Sequence, residues 1–490
     1  MNAAAYDLVI LNAKVVDPST AEPQTRDVAV SGGKIAAIET RIEPSQATEV
    51  LDARDQLLFP GVVDAHMHTG IYSILNEDAV TESRAAAMGG VTTSLNYMRT
   101  GQYYLNKTGS YRDFFPEVLA LSDGNFHVDY AYHLAPIMSS HIDEIEHCVE
   151  QLGVTSFKIF MFYGGHGLHG ASNDQSKFLM TPPNERYDFA HFEFVMRGVQ
   201  RARERFPQMA EQISLGLHCE TAEIMRAYTH IVESEGKLEG LRAYSAARPP
   251  HSEGLAIFIA AYLANETALP NINLLHLTSR KAVDAALQMQ QVFPHIRFGR
   301  EVTVGHLVLD VDSKTGAFAK VNPPIRPRDD VEYLWERVLD GSIDWVVSDH
   351  ACCKTEYKLH CGEQGHSIFL AKSGFGGTEY LLPAMITEGR RRGLSMGRIA
   401  ALTSANPAKR FGLPSKGRIE VGCDADFALV DPNATWTIHA ADSPSQQGYT
   451  PFEGIELTAR VTRTLLRGKT VFAEGNVVGG PQGKYLKRPY

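Results

Sequence analysis

Through the first 55 residues apolar and polar positions alternate, in Asp7-Leu-Val-Ile-Leu-Asn-Ala-Lys-Val-Val, in Asp27-Val-Ala-Val and in Lys34-Ile-Ala-Ala-Ile. A period of two places successive side chains on opposite faces of an extended chain, and Gly32-Gly33 between the second and third runs supplies a hairpin turn. The pattern returns in Asp426-Phe-Ala-Leu-Val, in Thr435-Trp-Thr-Ile and from Val461 to Phe472. Both ends of the chain are therefore expected in one small β domain.

Between them, short apolar runs alternate with longer amphipathic segments, the sign of βαβ units around a parallel sheet. Eight strands are predicted near Leu57 to His66, Val91 to Tyr97, Val128 to Leu134, Val154 to Phe160, Ile213 to His218, Ile272 to Leu277, Glu301 to His306 and Ile343 to Asp349. Period-3.6 apolar spacing predicts helices over Ile142 to Leu152, Phe189 to Phe206, Ala222 to Glu235 and Val331 to Leu339. The fold class is α/β, and the natural architecture is a (β/α)₈ TIM barrel; an open doubly wound sheet gives similar strings. The boundaries fall at 1–55 for the N-terminal part of the β domain, 56–412 for the barrel, 413–475 for the C-terminal part of the β domain and 476–490 for a tail.

Composition narrows the ligand class. At 44% hydrophobic and 21% charged residues the chain can bury an ample core. Its net charge of −10 argues against nucleic acid or an anionic membrane as partner and for a small molecule. The six cysteines Cys148, Cys219, Cys352, Cys353, Cys361 and Cys423 form no CxxC pair and no disulfide framework, which fits a reducing, cytoplasmic setting. No apolar run approaches the roughly 18 residues of a membrane span.

The chemistry concentrates at strand ends. His66 and His68 close the first barrel strand as a His-x-His pair, and side chains at i and i+2 point to one face, so both imidazoles can reach one ion. Four further strands end in Lys158, His218, His276 and Asp349. In a barrel all would converge on the C-terminal mouth, where such folds place their reactive groups. Lys158 is the odd member, since an ammonium has no lone pair for a cation. Two readings stand side by side: a core lysine paired with an acid, or a lysine that loses its proton and adds carbon dioxide to become a carbamate.

These residues carry a resemblance. Gly61-Val-Val-Asp-Ala-His-Met-His, Ala85-Ala-Ala-Met-Gly-Gly-Val-Thr-Thr, Lys158-Ile-Phe-Met-Phe-Tyr163, Leu217-His-Cys-Glu, Arg248-Pro-Pro-His-Ser-Glu, His276-Leu-Thr-Ser-Arg, Asn322-Pro-Pro-Ile-Arg, Ser348-Asp-His and Asn406-Pro-Ala-Lys-Arg-Phe-Gly-Leu resemble the cyclic-amide branch of the amidohydrolase superfamily, which contains dihydropyrimidinase, hydantoinase, allantoinase and dihydroorotase. The resemblance covers nearly the whole chain. It implies a barrel flanked by a β sandwich built from both termini, and a homotetramer. It also implies two divalent metal ions, zinc by family habit. His66, His68, Asp349 and a carboxylated Lys158 (N6-carboxylysine, formed with carbon dioxide) would hold one, and Lys158, His218 and His276 the other.

The implied reaction is opening of a cyclic amide, imide or ureide by a hydroxide shared between the ions, with Asp349 as general base and then general acid. Tyr163 resembles the family's phenol donor to the developing oxyanion. The Lys158 to Tyr163 spacing fits dihydropyrimidinase and hydantoinase, whereas Asn322 before Pro-Pro resembles allantoinase and dihydroorotase more. Asn322 and Ser373, the latter in Ser373-Gly-Phe-Gly-Gly-Thr-Glu379, are the candidate substrate contacts. A reading of another class is a non-catalytic scaffold, since some family members have lost their ligands; this chain keeps every one.

Three features remain. His166 and His169, in a glycine-rich loop after the Lys158 strand, read as a solvated loop, with substrate contact the alternative. His350, Cys352, Cys353, His360, Cys361 and His366 read as a thiol-bearing loop rather than as a further zinc site. Ile71, Tyr72, Ile74, Tyr97, Met98, Tyr103, Tyr104, Phe160 and Phe162 are expected near the mouth, which favours a substrate with an apolar or aromatic substituent, unless they pack a subunit interface.

Overall fold

A computed structural model of the chain describes residues 5–166, 181, 185–359 and 367–490. Five strands precede the barrel: β1 (Tyr6–Val15), β2 (Gln24–Ser31), β3 (Lys34–Glu39), β4 (Ala47–Asp52) and β5 (Leu57–Pro60). The barrel strands are β6 (Val62–Met67), β7 (Val91–Met98), β8 (Asp129–Leu134), β9 (Ser156–Phe160), β10 (Ser214–His218), β11 (Asn271–Leu274), β12 (Arg297–Thr303) and β13 (Trp345–Val347). After them come β14 (Phe427–Asp431), a separate ribbon of β15 (Trp436–Thr437) and β16 (Glu456–Leu457), and then β17 (Arg460–Leu466), β18 (Lys469–Ala473) and β19 (Asn476–Val477).

Both termini share one nine-stranded sheet, in the order β19-β18-β17-β14-β5-β1-β2-β3, with β4 parallel to β1. Alternating apolar positions, Leu8, Ile10, Val28, Val30, Leu58, Phe427 and Leu429 among them, pack into a core separate from that of the barrel. Lys34 at the start of β3 bridges Asp424 ahead of β14, so the sheet folds back on itself into the layers of the expected sandwich. The apolar run read as one strand from Leu57 to His66 is two: β5 pairs with β1 and β14, and β6 opens the barrel. The junction is Gly61, where a Cβ would come within 2.1 Å of Thr92 Oγ1.

Strands β6 to β13 lie in sequence order, each parallel to the next. The circle closes through a parallel bridge between Met67 and His350 and a 2.7 Å hydrogen bond from His68 N to His350 O. That closure excludes the open doubly wound sheet. Three strand predictions overran. β11 stops before Leu277, β13 stops before Asp349, and β12 turns into a short helix, Val304–Val308, capped by the Thr303 hydroxyl. His276 and Asp349 sit beyond the pairing with φ of 37° and 54°, left-handed conformations that turn the chain out of its strand at the mouth. The helix predicted over Ile142 to Leu152 is broken into Ser139–Ile142, Ile145–His147 and a π-helical turn, Cys148–Leu152. The other predicted helices form as Phe189–Arg205, Ala222–Glu235 and Arg328–Leu339. Among the described residues no helix is long and apolar enough to cross a membrane.

A buried charge cluster joins the two parts. Lys416 Nζ lies 2.6 Å from Asp129 Oδ2 at the start of β8, 2.7 Å from Asp426 Oδ2 and 2.9 Å from Asp424 Oδ2. Although burial opposes the ammonium, the three carboxylates hold its pKa above the ordinary lysine range. Removing one partner of such a cluster strands charge without solvent. Lys416→Met is therefore expected to cost about 3–5 kcal/mol in denaturant unfolding. A loss below roughly 1 kcal/mol, the size of an exposed pair, would contradict this account.

Candidate active site

The barrel brings all six sequence-predicted ligands to one mouth. His66 is in β6 and His68 directly follows it; Lys158 is in β9, His218 ends β10, and His276 and Asp349 follow β11 and β13. Asp349 Oδ1 lies 3.1 Å from His66 Nε2 and 3.3 Å from His68 Nε2. Lys158 Nζ is 2.9 Å from His66 Nε2. The His276 ring stands 4.4 Å from that of His218 and 5.4 Å from that of His66. All six side chains are buried.

Each of three imidazoles is oriented by an oxygen on its far nitrogen. His66 Nδ1 meets Glu301 Oε1 at 2.7 Å, His68 Nδ1 meets the Tyr104 hydroxyl at 2.8 Å, and His218 Nε2 meets Glu220 Oε2 at 2.6 Å. Donation of the far N–H leaves the other nitrogen with its lone pair toward the cluster, the arrangement that holds a metal-binding histidine in one tautomer. Burial lowers the pKa of all four histidines, that of His218 to about 4, so they are neutral. His276 Nδ1 is buried without a hydrogen-bond partner. Burial works against the Asp349 carboxylate, yet His66, His68 and Lys158 hold it below the ordinary carboxylate range. Four neutral imidazoles and one ionised carboxylate are a donor set that suits divalent ions such as zinc. Burial also brings Lys158 down to about 8, against the pull of Asp349 and Glu301, with its Nζ over the rings of Tyr97 at 4.1 Å and Phe160 at 4.3 Å. A substantial share of this amine is neutral near pH 8.

The cleft above the cluster is lined by the candidate substrate contacts Tyr163, Asn322 and Ser373, together with Ile71, Tyr72, Tyr104, Phe160 and Phe162. Tyr163 stacks on Phe160 at 4.2 Å, and the Arg99 guanidinium lies 5.5 Å from its ring center. Burial raises the Tyr163 phenol while Arg99 draws it back. Tyr72 donates to the Ser373 carbonyl at 2.6 Å. Four of the nine expected mouth residues do not line the cleft: Met98 is buried in the barrel core, Tyr103 packs edge-on to Tyr72 with ring centres 5.5 Å apart, and the other two are Ile74 and Tyr97. Ile74 is exposed to solvent, and Tyr97 packs beneath the cluster between His66 and His133, with ring distances of 4.4 and 4.3 Å.

The solvated-loop reading of His166 is corrected. His166 is buried with both ring nitrogens unpartnered, because the chain after Phe162 turns inward rather than into solvent. Cys352 and Cys353 are buried, and His350 is clasped between Glu82 Oε2 at 2.7 Å and the amide of Gly377 at 3.0 Å. His169, His360, Cys361 and His366 lie outside the described residues. Sequence reasoning passed over Glu301, Glu220 and Arg99 as site residues, and it placed Tyr104 at the mouth without its bond to His68. Only Glu220 left a signal, two positions after His218 in a His-Cys-Glu string.

Comparison with known proteins agrees with this geometry. Residues 213–471 match the amidohydrolase family. The chain is 33% identical to an allantoinase of Rubrobacter xylanophilus over 99% of its own length and 98% of the relative's. It is 31% identical to an allantoinase of Escherichia coli over 98% of its own length and 99% of the relative's. Among solved structures, the dihydropyrimidinase of Brevibacillus agri superposes with a TM-score of 0.83 at 26% identity, covering 98% of each chain. A D-hydantoinase does so with a TM-score of 0.84 at 26% identity, covering 98% of this chain and 99% of that one. Likeness along the full length, in sequence and in fold, means that the chain belongs to the amidohydrolase family, in its cyclic-amide branch.

Proposed function

We propose that this protein hydrolyses an amide bond in a small cyclic amide, imide or ureide. The observation that carries the reading is the convergence of His66, His68, Lys158, His218, His276 and Asp349, with the far nitrogens of His66, His68 and His218 occupied by Glu301, Tyr104 and Glu220. Two divalent ions, zinc being the choice for this donor set, would supply Lewis acidity to the carbonyl and a reactive water near neutral pH. His66, His68 and Asp349 would hold one, and His218 and His276 the other. Lys158 would serve both as N6-carboxylysine, which its neutral amine would form by adding carbon dioxide through a new C–N bond, with the proton released to solvent.

Asp349, kept ionised, accepts the proton of the attacking water and returns it to the departing ring nitrogen. The Tyr163 hydroxyl donates to the carbonyl oxygen as negative charge develops there, and the buried cleft strengthens that bond. A homo-oligomer is part of the same reading, supported by an apolar surface groove that includes Phe189, Phe258, Tyr262 and Val292.

Two ring classes have support. Asn322 before Pro-Pro and the full-length allantoinase relatives favour a ureide of the allantoin kind. Ile71, Tyr72, Tyr104, Phe160 and Phe162 favour a ring with an apolar or aryl substituent. Burying one large apolar group contributes roughly 1.5–3 kcal/mol, about a 10- to 150-fold preference. The test is turnover of hydantoin, 5-phenylhydantoin, dihydrouracil, allantoin and dihydroorotate. At least one should reach a kcat/KM of about 10⁴ M⁻¹s⁻¹, at the lower end for natural substrates, with 5-phenylhydantoin ahead of hydantoin. Turnover of none by metal-loaded protein contradicts the function, and equal use of the two hydantoins contradicts the apolar subsite.

A further inference from the structure

Three phenols line the cleft, those of Tyr72, Tyr104 and Tyr163. Tyr72 donates to the Ser373 carbonyl at 2.6 Å, and Tyr163 is the oxyanion donor of the functional reading above. Tyr104 has a different setting. Its hydroxyl lies 2.8 Å from His68 Nδ1, and among the described residues no other polar group comes within hydrogen-bond distance of it. The backbone holds it there under strain: Tyr103 and Tyr104 both take left-handed conformations, with φ of 66° and 52°, which residues with a Cβ adopt only where their surroundings enforce them. The enforcing contacts are local. Gly101 N donates to Lys107 O at 2.6 Å, Asn106 N to Tyr103 O at 3.0 Å, and Tyr103 N to Asn106 Oδ1 at 2.9 Å.

The direction of the Tyr104 bond follows from the role of His68. A neutral imidazole carries one hydrogen. If Nε2, which faces Asp349 Oδ1 at 3.3 Å, offers its lone pair to an ion, the hydrogen is on Nδ1 and is donated to the Tyr104 oxygen. A hydroxyl that receives in this way keeps its own hydrogen for another acceptor. Among the described residues there is none, so the acceptor must come from what the cleft binds.

We propose that Tyr104 is a second phenol donor of this site, giving its hydrogen to an acceptor on the bound ligand from the His68 side of the cleft, while Tyr163, stacked on Phe160, approaches from the other. The proposal rests on the functional reading above and adds a substrate-contacting residue to it. The two bonds of Tyr104 reinforce one another, because an N–H received on the phenol oxygen polarises the O–H that the phenol donates. A buried donor left without an acceptor is costly, so the bond contributes most when a ligand is in place.

The test compares wild type with Tyr104→Phe and with replacement of Tyr104 by 3-fluorotyrosine, each loaded with excess zinc to the full metal complement, on the ring of the panel that is turned over best. At full loading Tyr104→Phe should lower kcat/KM about tenfold or more, the scale of one buried hydrogen bond. Fluorine beside the hydroxyl makes it a stronger donor and a poorer acceptor at nearly unchanged size. The two contacts of Tyr104 should therefore respond with opposite signs, kcat/KM rising while zinc affinity, read by competition with a chelator, falls. A residue that only orients His68 would weaken zinc binding in both variants and leave kcat/KM of the fully loaded protein unchanged, and that result would overturn the proposal. A fall, or no change, in kcat/KM on fluorination would overturn it as well. If Tyr104→Phe does not fold or does not load, the fluorinated protein decides alone. If wild type holds no metal or turns over no ring, it is the functional reading that fails. Calorimetric binding of 5-phenylhydantoin to wild type and to whichever variant folds then decides, and equal affinity, or binding by neither, overturns the role of Tyr104.

Discussion

Lys158→Ala is expected to lose both metal ions and all ring-opening activity while keeping its fold. Lys158 stands 2.9 Å from His66 Nε2 and above the rings of Tyr97 and Phe160, and under the proposed function it would serve both ions. Its removal takes away the shared carboxylate and leaves room for a small one. Formate, acetate or propionate should therefore restore part of the metal content and of the rate, whereas they should do nothing for wild type. Metal analysis of the purified variant, alongside turnover with and without added carboxylate, checks this. A Lys158→Ala protein that holds two ions and works normally without added carboxylate would show that the lysine is structural.

Asp349→Asn is expected to lower kcat by at least about 10²–10⁴-fold, the contribution of a well-placed general base. The carboxylate is held ionised by His66, His68 and Lys158, so it can take a proton; the amide cannot. Because the variant also removes a charged ligand, the rate must be referred to the fraction of protein that carries its full metal complement. Wild-type turnover in a fully metallated Asp349→Asn protein would exclude Asp349 from proton transfer.

The candidate ligands were legible in the sequence for a simple reason: in a parallel barrel every strand delivers its last residues to the same mouth, so His66, His68, Lys158, His218, His276 and Asp349 share a position even though they are far apart in the chain. The two-period alternation at both ends made the terminal sheet legible too. What orients the ligands was hidden. Glu301 reaches His66 across 235 residues, and neither residue's neighbours hint at the other. Tyr104 meets His68 from a loop whose φ of 52° no local pattern announces. The departures of His276 and Asp349 from their strands are likewise tertiary, since sequence alternation continues past the point where pairing stops. Arg99 follows β7 with nothing in its neighbourhood of the sequence to mark it. It is buried, its charge spread over the Thr100 and Gln102 carbonyls and two tyrosine rings. Ile74 and His166 misled in opposite directions, because burial of a loop residue depends on what the barrel places over it.

The central claim is that the converging side chains hold two divalent ions and that Lys158 carries the carboxylate between them. The most direct test is the metal stoichiometry of protein purified without chelators in the presence of bicarbonate, read together with the intact mass of the chain under non-denaturing conditions. The account predicts about two divalent ions per chain, bound by a preformed site of deprotonated ligands, and the added mass of one carbon dioxide that disappears in Lys158→Ala. Fewer than about one ion per chain in such protein, with an unmodified lysine, would contradict it and leave a family scaffold in place of an enzyme.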